Sequence, residues 1–122
     1  MRVFKNAWFA RFARKERIAD KSLGEAIHRA ALGLIDADLG GGIIKQRIPR
    51  PGQGKSGGYR SLVLFKKGER AFFVFGFAKS DMDNVEDDEV EYFKKMAREV
   101  LALSDAQLDL LLAKGLFEEV KT

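Results

Sequence analysis

The chain has 122 residues, no cysteine, 46% hydrophobic and 33% charged residues, and a formal net charge of +4. That length and apolar content fit one domain over residues 1–122 with a real core, and the missing cysteine excludes disulfides, thiolate metal sites and thiol nucleophiles. No apolar run approaches the ~20 residues of a membrane span, and the opening MRVFKNAWFARFARKER is too often interrupted by charge for a signal peptide, so the expectation is a cytoplasmic protein without membrane contact.

Arg2 to Lys5 suits a short strand, and Asn6 suits the cap of a helix that buries Phe9, Phe12 and Ala13. Ser22 and Glu25 have capping-box spacing, and Leu23, Ala26, Ile27, Ala30, Ala31 and Leu34 recur along one helical stripe that stops near Gly33. Asp36 to Gly42 reads as a loop. In Ile43 to Ile48 the pattern alternates, with Ile44 and Ile48 on one face and Lys45 and Arg47 on the other. Pro49 to Gly58 is too rich in Gly and Pro for a central strand and reads as a loop carrying Arg50 and Lys55.

Tyr59 to Lys66 and Arg70 to Ala78 flank a turn at Lys67 and Gly68, which predicts a β-hairpin whose second strand, with apolar groups on both faces, is central and doubly covered. The acidic run from Asp81 leads into a helix burying Val90, Phe93, Ala97, Val100 and Leu101. Ser104 and Gln107 cap a last helix ended by Gly115. The expected class is α+β in the order β-α-α-β-β-β-α(α), a small, mainly antiparallel sheet with an N-terminal helical hairpin and C-terminal helices.

The modest net charge conceals a division. Between residues 45 and 79 nine cations face one anion, Glu69, whereas residues 80 to 122 carry five cations and twelve anions. A basic surface on a rigid sheet suits a phosphate-rich partner such as RNA.

Other motifs carry less. Gly54-Lys55-Ser56 is not a nucleotide-binding P-loop, because position 49 is proline where that pattern needs glycine and a strand follows where it needs a helix. The lone His28 lies off the apolar stripe as a solvated residue, and the acids near Asp81 serve a helix N-terminus, so no metal or cofactor is expected. The phenylalanines of residues 72–77 are core. Tyr59, beside Arg60 at a strand entrance, is a candidate for stacking on a base.

The RPGQGKSGGYR and FGFAKSDMDN segments, with the LGGGIIKQRI exit from the helical hairpin, resemble toxins of the RelE/ParE superfamily, in the RelE/HigB-like branch. The resemblance covers most of the chain. It implies a ribosome-dependent messenger endonuclease whose partners are mRNA on the ribosome and a cognate helix-turn-helix antitoxin, with operator DNA met only through the antitoxin complex. The alternatives are a ParE-like inhibitor of DNA gyrase and a non-catalytic RNA-binding module.

By position, the resemblance implies a catalytic set of Lys45, Arg47, Arg60 and Lys79, with Arg60 on the reacting phosphate, while Arg50, Lys55 and Tyr59 would bind RNA. The chain departs from the family in having Ser80 where a second cation closes the last strand, and it lacks the tyrosine of RelE and the C-terminal histidine of some HigB toxins. Attack by a ribose 2′-oxygen needs a base, an acid and cations for the phosphorane, but no metal. An arginine cannot be the base, and an exposed lysine, with a reference pKa of ~10.4, serves only if neighbouring cations depress it, which makes Lys45 beside Arg47 the candidate.

Overall fold

The computed structural model describes residues 1–50, 58–78 and 85–121. Its elements are β1 (Arg2–Asn6), α1 (Ala7–Glu16), α2 (Asp20–Ala31), β2 (Ala37–Gly40), β3 (Ile43–Ile48), β4 (Tyr59–Lys66), β5 (Arg70–Ala78), α3 (Asp87–Val100), α4 (Asp105–Ala113) and β6 (Phe117–Glu119). The strands form one sheet in the order β2-β3-β4-β5-β1-β6, with β1 parallel to β5 and the other described pairs antiparallel. This is the expected α+β class. No helix among the described residues is long and apolar enough to cross a membrane.

Each face of the sheet is covered by a different helix pair. Phe9, Ala13, Leu23, Ala26 and Ile27 of α1 and α2 pack with Ile44, Ile48, Tyr59, Val63 and Phe73. On the other face Phe93, Ala97 and Leu108 of α3 and α4 pack with Phe4, Ile43, Leu62, Leu64, Phe72 and Phe77. Alternation along β4 and β5 supplies both cores, as the doubly apolar strand requires. At the Leu62/Val63 irregularity, Leu62 pairs with Phe75 and Val63 with Phe73, so Val74 is the extra residue of a bulge. Asn6 ties this bulge to the first helix: its side chain accepts from Phe9 N at 2.7 Å as the cap of α1 and donates to Val74 O at 3.2 Å.

Three expectations are corrected. Asp36 to Gly42 is not a loop throughout, because Ala37 to Gly40 forms β2 against β3 and turns back through Gly41 and Gly42, whose φ values of +62° and +85° suit residues without a Cβ. Helix α2 begins after Ala19 rather than at a Ser22 box, so Ser22 lies within it. Asp20 supplies the first-turn anion instead: Oδ1 accepts from Lys5 Nζ at 2.9 Å and Oδ2 from Lys121 N at 2.8 Å. Leu34 lies beyond the end of α2 and is 62% exposed, so it is not part of the buried stripe. The Ser104–Gln107 capping box forms as read, and three acids, Asp87, Asp88 and Glu89, occupy the first turn of α3.

Candidate functional site

Strand β3 presents its cations on the α3/α4 face of the sheet but beyond the crossing of α3. That helix meets the sheet at the β2–β3 turn, where a Cβ at Gly41 would strike the Lys94 side chain and one at Gly42 would touch Leu101. At 3.2–3.4 Å per residue, Arg47 lies about 16 Å further along the strand. Gly58 lets β4 enter close beside β3, because a Cβ there would stand 2.5 Å from the Ile48 carbonyl oxygen. The resulting register sets Arg47 directly opposite Arg60 and Lys45 opposite Leu62.

Like charges directly opposite on neighbouring strands destabilise a sheet. Here a carboxylate lies among them. Asp36 Oδ2 is 3.3 Å from Arg60 Nε and 3.7 Å from Lys45 Nζ, and Oδ1 is 3.9 Å from Arg47 Nη2. The structure thus gathers three of the sequence-derived residues, Lys45, Arg47 and Arg60, around a fourth that sequence reading left in a loop. The side chains of Lys45 and Arg47 are 19% and 37% exposed, against 8% for Arg60. Arg60 Nη1 is fully buried and has no hydrogen-bond partner among the described residues. An unmet buried donor on a charged group costs more than the roughly 1–3 kcal/mol of a neutral one.

The backbone under this group is fixed from the opposite face. Gln46, 2% exposed, donates Nε2 to Ala26 O at 2.8 Å and Leu34 O at 3.1 Å, and its Oε1 accepts from Asp36 N at 3.3 Å. Asp36 N also reaches Lys45 O at 3.1 Å. Arg29 adds a bond from Nη2 to Arg47 O at 3.1 Å. A depression of about 420 Å³ between Arg29, Leu34, Asp36, Arg47 and Pro49 opens beside the cations. A larger cavity of about 680 Å³ beside α2, bordered by Met1, Val3, Ile27 and His28, has none of the three cations in its lining.

Tyr59 does not join the group. It is 2% exposed, lies on the α1/α2 face, stands edge-on to Phe12 and donates its hydroxyl to Glu16 Oε1 at 3.0 Å. Burial, then the bond to Glu16, push its phenol above the usual range. The expectation of a base-stacking ring is therefore corrected: at a strand entrance that is doubly covered, the ring is core. Arg50 lies over that ring, its guanidinium carbon 5.6 Å from the centroid. Lys55 and Lys79 lie outside the described residues.

The fold and site define an α+β protein that holds several cations at one corner of a doubly covered sheet, an arrangement suited to an anion. The family of the RelE toxin of the RelE / RelB toxin-antitoxin system matches residues 1–120, and the chain belongs to that family. It is a toxin of a toxin–antitoxin system, and its partner class is an antitoxin. No curated protein matches the chain.

Proposed function

We propose that this toxin is a ribosome-dependent messenger endonuclease of the RelE/HigB-like branch, acting in the cytoplasm and cleaving by 2′-oxygen attack without a metal. The observation that carries this reading is the gathering of Lys45, Arg47 and Arg60 within 3.3–3.9 Å of one carboxylate, with a buried guanidinium nitrogen left unmet. In the reaction the 2′-oxygen bonds to phosphorus as the bond to the 5′-oxygen breaks. One proton leaves the 2′-hydroxyl, one reaches the 5′-oxygen, and the products are a 2′,3′-cyclic phosphate and a 5′-hydroxyl.

Arg60 and Arg47 are assigned to the phosphorane, where prepositioned donors contribute most because they need no reorganisation. Lys45 is assigned to the 2′-oxygen, and Lys79, outside the described residues, is a further catalytic candidate. The ribosome supplies in-line orientation of the message, which a shallow corner with few groups does not supply alone. The partners in this reading are mRNA on the ribosome and a helix-turn-helix antitoxin, with operator DNA reached through the antitoxin complex.

Induced expression in a bacterium followed by mapping of RNA 5′ ends tests the proposal. New ends inside translated frames are expected, and they should vanish in an Arg60→Ala protein. DNA damage with intact messages would replace this reading by gyrase inhibition.

A further inference from the structure

Asp36 is the member of the site to which neither the strand alternation nor the charge count points. We propose that Asp36 is a positioning residue: it holds Arg60 by its Nε side and keeps three mutually repelling cations in one group, so that the remaining guanidinium donors are directed to an RNA phosphate. The inference rests on the RNA-cleaving reading of the corner.

Three observations carry it. Arg47 and Arg60 are cross-strand neighbours, an unfavourable pair unless an anion lies with them, and the two oxygens of Asp36 divide the task, Oδ1 facing Arg47 and Oδ2 facing Arg60 and Lys45. The contact to Arg60 is made at Nε, and its buried Nη1 has no partner among the described residues, so the carboxylate fixes one edge of that guanidinium while the Arg47 guanidinium, 37% exposed, is the one open to a phosphate. The Asp36 N–H is shared between Lys45 O and the Oε1 of the buried Gln46, so the carboxylate projects from a tethered point. A side chain that served only as a placeholder for phosphate would not need that anchoring.

Asp36→Asn in the chain as it stands should bind a 2′-deoxy-substituted messenger analogue at least as tightly as the parent, because a negative charge has been removed. Its single-turnover cleavage of ribosome-bound message should fall about 100-fold, the scale of a misplacement of about 1 Å. In an Arg60→Ala background the same substitution should cost clearly less than in the parent, because one of the three cations that Asp36 positions is gone. Asp36→Glu, which keeps the charge, should recover part of the loss. Cleavage by Asp36→Asn at or above the parental rate would make Asp36 a competitor for phosphate and overturn the proposal. An undiminished loss in the Arg60→Ala background would overturn it in favour of a direct role.

The nuclear magnetic resonance signal of Arg60 Nε–Hε decides the matter without cleavage. The parent should show a protected signal that persists when the 2′-deoxy analogue binds. A parental signal averaged with the exposed arginines, or lost on binding, would overturn the proposal even if Asp36→Asn does not fold. If the parent cleaves no message, the RNA reading fails while this signal still tests the Asp36–Arg60 linkage.

Discussion

Arg60 and Arg70 are withdrawn from water to a similar degree, their side chains 8% and 12% exposed, yet they use their donors in opposite ways. Arg70, at the start of β5, gives Nη1 to Leu103 O at 2.5 Å and Nη2 to Asp105 Oδ1 at 2.6 Å, fastening the sheet to the start of α4. Among the described residues Arg60, in β4, has one loose contact at Nε and an unmet Nη1. Buried charge with its donors satisfied is a fastening; buried charge with donors in reserve is a site. Burial alone would not have separated the two.

Substitutions at the two arginines should therefore fail in opposite directions. Arg60→Ala should lower cleavage by about 10²–10³-fold, as loss of one prepositioned donor does elsewhere, while its thermal midpoint stays close to the parent's because no satisfied bond is lost. Arg70→Ala should cost roughly 1–3 kcal/mol in denaturant unfolding, since the Leu103 carbonyl loses its partner, and should leave cleavage per folded molecule unchanged. A folded Arg60→Ala protein with parental activity would dissolve the contrast.

Smaller effects sharpen it. Lys45→Ala should reduce cleavage by about 100-fold, the lower end of what general acid–base groups contribute, whereas Lys66→Ala should leave it unaltered. Lys66 is half exposed and pairs with Glu69 at 3.3 Å across the hairpin end. Equal losses from both would mean that diffuse positive charge, and not the corner, carries activity. The smallest effect concerns Asp20. Burial raises its pKa, but bonds from the Lys121 backbone and Lys5, with the charge of both, outweigh that and leave it below the ordinary 3.8. The stabilisation is therefore present above that value and is lost as pH falls through the folded value. Asp20→Asn should cost about 1 kcal/mol at neutral pH, and the gap in thermal midpoint from the parent should close in strong acid.

Much of this was legible in the residues. Alternation in Ile43–Ile48 separated the isoleucines from Lys45 and Arg47, and the doubly apolar 72–77 segment marked the central strand. Asp36 was not legible as a partner, because Asp-Ala-Asp-Leu-Gly-Gly-Gly looks like loop composition. The signal that was present is the period-two placing of Ala37 and Leu39 before a glycine turn and a strand, which describes a short hairpin arm. Gln46 had only alternation to mark it, which puts it on the buried face with Ile44 and Ile48; its partners, the carbonyls of Ala26 and Leu34, are distant in sequence. Strand β6, three residues long, has too few positions for periodicity and is defined by pairing with β1, Phe4 opposite Glu119, to which the Arg2–Glu119 ion pair at 2.9 Å adds.

The most direct test of the account is single-turnover cleavage of ribosome-bound message by the parent, Arg60→Ala and Arg70→Ala proteins, each corrected for folded fraction. The account predicts parental rates for Arg70→Ala and a loss of about 10²–10³-fold for Arg60→Ala. Equal rates for the two variants, or loss in Arg70→Ala with cleavage intact in Arg60→Ala, would contradict it.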